Sequence, residues 1–201
     1  MKIQIARTPF CLTALAAILM PELVQAHVAQ SEHGSILAGL GHPFSGIDHI
    51  LVMIAIGIWA SQLGRRAVFS LPVAFPLIMV LGAFFGVIGV PLPAVEAGIA
   101  LSAIFLGAAV LLKFRADLRI AVPLVAIFGL FHGHAHGSEL PLQQNGLLFA
   151  AGFIAGTALL HAAGIAFGLL RGWRWGRVAL HGAGAGVLAG GIAFLLSGGA
   201  V

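Results

Sequence analysis

Charge is what this sequence has least of. Asp, Glu, Lys and Arg together make up 8% of its 201 residues, against 60% hydrophobic, and the mean hydropathy is +1.09. A soluble domain carries roughly a quarter charged residues, so a water-exposed globule is excluded and an integral membrane protein is implied. At about 20 apolar residues per crossing of roughly 30 Å of hydrocarbon, the length leaves room for six or seven helices and for no sizeable soluble domain. Cysteine is nearly absent: Cys11 stands alone, so a disulfide within the chain is excluded. No G-x-x-x-x-G-K-[ST] motif occurs, so ATP-driven chemistry has no phosphate loop to use. The high pI of about 10.7 would suggest nucleic acid if the basic residues formed one face. They sit instead in short gaps between apolar segments, so no nucleic-acid partner is expected.

The first 26 residues have the layout of a cleavable secretory signal. Lys2 and Arg7 precede the apolar run Phe10 to Met20, and Val24, Gln25 and Ala26 offer a small-residue cleavage site. The alternative, an uncleaved first helix, is disfavoured by the shortness of the run and by Pro21 and Glu22 directly after it. The expected division is therefore 1–26 signal peptide and 27–201 transmembrane domain. Cleavage would remove Cys11 and leave no thiolate, so any metal site must use nitrogen and oxygen ligands.

Six apolar segments follow, at about 44–63, 67–88, 93–112, 119–139, 146–170 and 176–197. The first, third and fifth connections hold all the basic residues that remain after residue 26: Arg65 and Arg66; Lys113, Arg115 and Arg119; Arg171, Arg174 and Arg177. The other connections hold none. Under the positive-inside rule this predicts an all-α protein with six transmembrane helices and both mature termini outside the cytoplasm. Trp59, Trp173 and Trp175 fall near the cytoplasmic ends, where indole rings sit among headgroups. Small-residue spacings at Gly82 and Gly86, Gly152 and Gly156, Gly164 and Gly168, and Gly182, Gly186 and Gly190 predict close helix packing.

The remaining polar residues collect at the opposite side. Glu32, Asp48, Glu96 and Glu139 fall in the exported tail or at outer helix ends, an arrangement that attracts cations. "HPFSGIDH" opens the first helix and places Asp48 and His49 just inside the membrane. His42 and His49 share a face but stand about 10 Å apart along an ideal helix, so an irregularity near Gly46, or two successive ion positions, is expected. "FHGHAHGSEL" closes the fourth helix: His132 and His136 lie one turn apart, the spacing at which two imidazoles reach one metal, and Glu139 continues the stripe. His134 points the other way. Antiparallel helices one and four then bring both motifs to one depth, where His42, Asp48, His49, Glu96, His132, His136 and Glu139 form the expected metal site. His161 and His181 map deeper, at about 22–24 Å from the outer surface, as a candidate second station. Each of the two could equally be a histidine bonded to a neighbouring helix.

The two motifs resemble those of the HupE/UreJ family of nickel and cobalt permeases, which carry H-x5-D-H in the first helix and F-H-G-x-x-H-G-x-E in the fourth. The resemblance spans the whole chain, including the signal and the six helices. It implies secondary transport of Ni²⁺, or Co²⁺, into the cytoplasm, with functional roles for His42, Asp48, His49, His132, His136 and Glu139. It implies no resident cofactor and no enzymatic activity. The partners to expect are the divalent ion, the lipid bilayer and cytoplasmic nickel chaperones, and the reading is compatible with a homo-oligomer. Two other classes use the same residue types. One is an intramembrane zinc hydrolase, in which His and Asp hold Zn²⁺ with a position open for water. The other is a metal-binding accessory or sensor, in which the exported His27, Glu32 and His33 act as the receptor.

Overall fold

The computed structural model describes residues 32–140 and 145–198. The segment read as a signal peptide, and His27 after it, lie outside the described residues. Those described form seven α-helices: α1 (Glu32–Gly41), α2 (Ile47–Leu63), α3 (Arg65–Val87), α4 (Val95–Leu111), α5 (Leu118–Ser138), α6 (Gly146–Gly168) and α7 (Arg174–Leu196). Short 3-10 turns, His42–Phe44 and Leu169–Gly172, follow α1 and α6. Each of the six expected segments coincides with one of α2 to α7, with ends that agree within about three residues. The short helix α1 was not anticipated.

Helices α3, α5, α6 (with its 3-10 turn) and α7 are each long and apolar enough to cross a membrane. Helices α1 and α2 pass the same test only together, as a pair bent by 79° that is either a broken span or a re-entrant loop. Helix α4 is a shorter apolar helix of 17 residues. The lipid-facing surfaces can be read from exposure. On α3, Phe69, Val73, Leu77, Phe84 and Val87 are each more than half exposed, a continuous apolar stripe that water would not tolerate on a soluble protein. The chain is a multi-pass membrane protein.

Helix α2 explains how the bundle is built. Its sequence, IDHILVMIAIGIWASQL, is apolar on every side, and a helix without a polar face must be surrounded. Accordingly it packs against α3, α4, α6 and α7, and residues Val52, Met53 and Ala55 to Ser61 are buried. Around it the other helices pair: α3 with α5, α4 with α7, and α1 with α6. Side-chain caps set some helix starts. Asp117 accepts from the Arg119 amide at 2.8 Å, and Asn145 accepts from Leu147 and Leu148, replacing the missing backbone acceptors of a first turn.

Several of the sequence glycines mark backbone contact, as expected. A Cβ on Gly82 would strike the Leu130 carbonyl and one on Gly86 the His134 carbonyl. From the facing helix, Gly129, Gly133 and Gly137 abut the carbonyls of Phe75, Met79 and Ala83. In α7 the expected stripe is displaced. Gly182 and Gly186 face open space and Gly190 packs on Leu51 of α2, whereas Gly184 and Gly191 carry the contact with α4, because the buried side of that helix lies at Leu180, Gly184, Val187 and Gly191. Trp59 is also corrected. It is fully buried rather than interfacial, and its Nε1 donates to the Phe114 carbonyl at 2.8 Å. Trp173 and Trp175 are exposed.

Helix directions sort the charges. Among the described residues, Arg65, Arg66, Lys113, Arg115, Arg119, Arg171, Arg174 and Arg177 all lie at one end of the bundle. Asp48, Glu96 and Glu139 lie at the other.

Candidate metal centre

The break between α1 and α2 creates the site. Pro43 enters the 3-10 turn, and Gly46 adopts an extended conformation (φ −107°, ψ 126°) before α2 begins. An ideal helix would have held His42 and His49 apart along its axis. The bend turns His42 back over the bundle, so that both rings reach His136: His42 Nε2 and His136 Nδ1 share a hydrogen bond at 2.9 Å, and the His49 and His136 ring centroids are 4.3 Å apart. The irregularity expected near Gly46 is present. Gly46 also makes room, since a Cβ there would lie 2.7 Å from Asp48 Oδ1 and 2.9 Å from His49 Nδ1.

The second motif is positioned by its glycines. Gly133 and Gly137 face the α3 backbone, so the residues that precede them, His132 and His136, are turned toward the bundle interior. His132 is fully buried and lies against His49, with ring centroids 5.1 Å apart. His134 is not part of this group. Its Nε2 donates to the Val90 carbonyl at 2.8 Å, tying α5 to the loop after α3.

The protonation pattern follows from the partners. Carbonyls and carboxylates accept, so His132 carries its proton on Nδ1, which donates to the Phe128 carbonyl at 2.9 Å. His49 donates from Nδ1 to Asp48 Oδ2 at 3.0 Å. Each therefore presents a bare Nε2 to the interior, and the Nε2 atoms of His49, His132 and His136 are all buried without a partner. Buried polar atoms ordinarily find hydrogen bonds. A histidine that donates one ring nitrogen to a backbone carbonyl or carboxylate and keeps the other free is the usual arrangement of a metal ligand. Asp48 thus orients His49 here instead of standing among the free ligand atoms.

Two overlapping positions result. Ligand atoms of His42, His136 and the exposed Glu139 lie within 4.8 Å of one another and could hold a divalent ion at the mouth. Below them, His49 and His132 offer their free nitrogens. Nitrogen and oxygen donors of this kind suit Ni²⁺, Co²⁺ or Zn²⁺.

Three sequence candidates are not brought in. Glu96 is exposed and lines a separate cavity with Phe194, Leu195 and Gly198. The reason is register: Gly98 faces Phe131 of α5, and a residue two positions earlier lies about 200° around the helix. His181 bonds its own helix, at the Arg177 carbonyl. His161 is buried, but α6 packs on α1 and α2 while α7 packs on α4, so it does not meet His181. The aromatic walls were missed by reasoning from polar residues. Phe149 and Phe153 of α6 flank His42, and Phe153 also packs on His136. Phe75 of α3 lies against His132.

Next to the cluster, α3, α5 and α6 form a half-open apolar groove of about 420 Å³ lined by Met79, Phe84, His136, Leu147, Phe149 and Phe153, among others. On the other side of α2, Asp48 lines a smaller cavity of about 160 Å³ with Leu51, Ala100, Ala103, Gly190 and Phe194.

Comparison with known proteins agrees with the motifs. The profile of the HupE / UreJ protein family matches residues 15–194. Protein HupE of Rhizobium leguminosarum bv. viciae is 45% identical over 184 residues, which cover 92% of this chain and 96% of the relative. No solved structure matches. With the family profile spanning most of its length and both histidine motifs complete, the chain belongs to the HupE/UreJ family.

Proposed function

We propose that this protein is a secondary permease that carries Ni²⁺, and with it Co²⁺, from the outer side of a bacterial inner membrane into the cytoplasm. One observation carries the reading: three buried imidazole Nε2 atoms from two antiparallel helices stand unpaired beside a carboxylate-lined mouth. In this reading the bent α1–α2 pair, α3, α4, α5, α6 and α7 make six crossings, with the basic end cytoplasmic. The 17 residues of α4 cover about 25 Å, close to the lower limit for a span. Segments 1–26 act as the export signal.

The chain's own residues account for the steps. Glu139 draws the hydrated cation to the mouth, and Glu96, on the same side of the membrane but outside the cluster, adds to the negative field. His42, His136 and Glu139 replace part of its water shell, and His49 and His132 receive it one turn deeper. Inward movement of a divalent ion gains about 4.6 kcal/mol from a 100 mV potential, inside negative. Without thiolates the ligands bind weakly enough to exchange. Uptake of radioactive nickel by cells expressing wild type, His132→Ala and Asp48→Ala tests this. Both variants are expected to lose uptake, and equal accumulation at equal expression would refute transport through this cluster.

One observation favours a second reading, an intramembrane zinc hydrolase acting on lipid. The apolar groove beside His136 is large enough for an acyl chain. Zinc that stays bound through dialysis, together with release of fatty acid from vesicles by purified protein, would support that alternative over the permease.

A further inference from the structure

Deeper in the bundle, His161 is 1% exposed and neither of its ring nitrogens has a hydrogen-bond partner. One turn earlier on the same face of α6, Thr157 is fully buried and its hydroxyl is also unpartnered. A buried threonine in a helix ordinarily bonds the carbonyl four residues back, as Ser61, Ser102 and Ser138 bond carbonyls three residues back in this chain. Three polar atoms without partners on one turn carry a desolvation cost that demands an occupant.

Their position identifies the occupant. The Phe75 ring packs against two imidazoles, with ring centroids 5.4 Å from His132 and 5.7 Å from His161. His161 stands fifteen residues into α6, about 22 Å along its axis, so it continues the line of histidines past the cluster. We propose that His161 and Thr157 form a second, inner station for the transported divalent cation, next to the Phe75 ring that also packs on His132. This rests on the permease reading. One imidazole and one hydroxyl, completed by water, bind more weakly than the outer set of histidines and carboxylate. An ion passing Phe75 therefore meets a site from which release is easier, as conduction through successive sites requires. His161 needs no second histidine for this role, and His181 takes no part.

The test uses full-length protein in lipid nanodiscs, with equilibrium dialysis against radioactive Ni²⁺, alongside nickel uptake by cells. Wild type is expected to bind an inner ion in addition to the outer one. His161→Gln is expected to lose that ion, keep the outer one and slow uptake by at least about tenfold, the smallest change that removal of a metal partner usually produces. A purely structural histidine would leave the stoichiometry unchanged. Should His161→Gln fail to accumulate as folded protein, Thr157→Val decides, because it removes the hydroxyl at nearly constant volume; inner-ion affinity is expected to drop about tenfold. Wild-type stoichiometry and uptake in the variant that folds would overturn the inner station while leaving the permease standing. Absence of nickel binding and uptake by wild type itself would overturn both.

Discussion

Replacing Gly46 by alanine separates function from stability. The backbone there (φ −107°, ψ 126°) is open to any residue, so alanine fits without backbone strain. Losing glycine's freedom in the unfolded chain stabilises by about 0.4–1 kcal/mol. Exchanging a Gly N-cap for Ala costs up to about 1 kcal/mol, so the two effects largely offset and net stability should stay within about 1 kcal/mol of wild type. The added Cβ would nevertheless stand 2.7 Å from Asp48 Oδ1 and 2.9 Å from His49 Nδ1, against 3.4 Å for ordinary contact. Relief moves the carboxylate–imidazole pair by about 0.5 Å or more, beyond the roughly 0.2 Å tolerance of metal–ligand distances. Disturbing such a pair typically costs about 10–100-fold in affinity or activity. Initial rates of radioactive nickel uptake at low external nickel should fall by that factor, while thermal unfolding of the purified protein is nearly unchanged. Wild-type uptake by Gly46→Ala would refute the claim that this packing sets the site.

Other substitutions probe the frame around the cluster. His134→Ala should keep nickel uptake within about twofold, since its ring ties α5 to the loop after α3; the lost hydrogen bond would lower unfolding stability by about 1 kcal/mol. Gly133→Ala would drive a methyl into the Met79 carbonyl between α3 and α5, and overpacking of about 1–3 kcal/mol should appear as a lower melting temperature and faster proteolysis. Trp59→Phe keeps an aromatic ring but a smaller one, so at this fully buried position it leaves a void and an unpaired Phe114 carbonyl; at least about 1–3 kcal/mol of stability should be lost with nickel still transported.

Much of the site was legible because periodicity carries it. The spacing of His132, His136 and Glu139 on one helix, and the axial distance between His42 and His49, followed from 1.5 Å per residue. That distance called for either an irregularity near Gly46 or two successive ion positions, and the structure has the irregularity. Glu96 was misplaced because depth along a helix is easily counted from sequence, whereas rotation about the axis depends on which neighbour the helix packs against. Phe75, Phe149 and Phe153 were passed over for a related reason: in a chain this rich in apolar residues, nothing local distinguishes a site wall from a lipid-facing ring.

Composition alone determined the solvent. A chain with 8% charged residues cannot satisfy water over its surface, and its basic gaps alternate with gaps that lack them, so membrane character and the segregation of charge needed no coordinates. Tertiary structure decided how the polar residues meet. The 79° bend, the glycine contact between α3 and α5, and the donation of His132 and His49 to Phe128 and Asp48 left specific nitrogens bare toward the interior. These are relations between distant segments, set by backbone approach and side-chain direction, and hydropathy and spacing along one helix do not encode either.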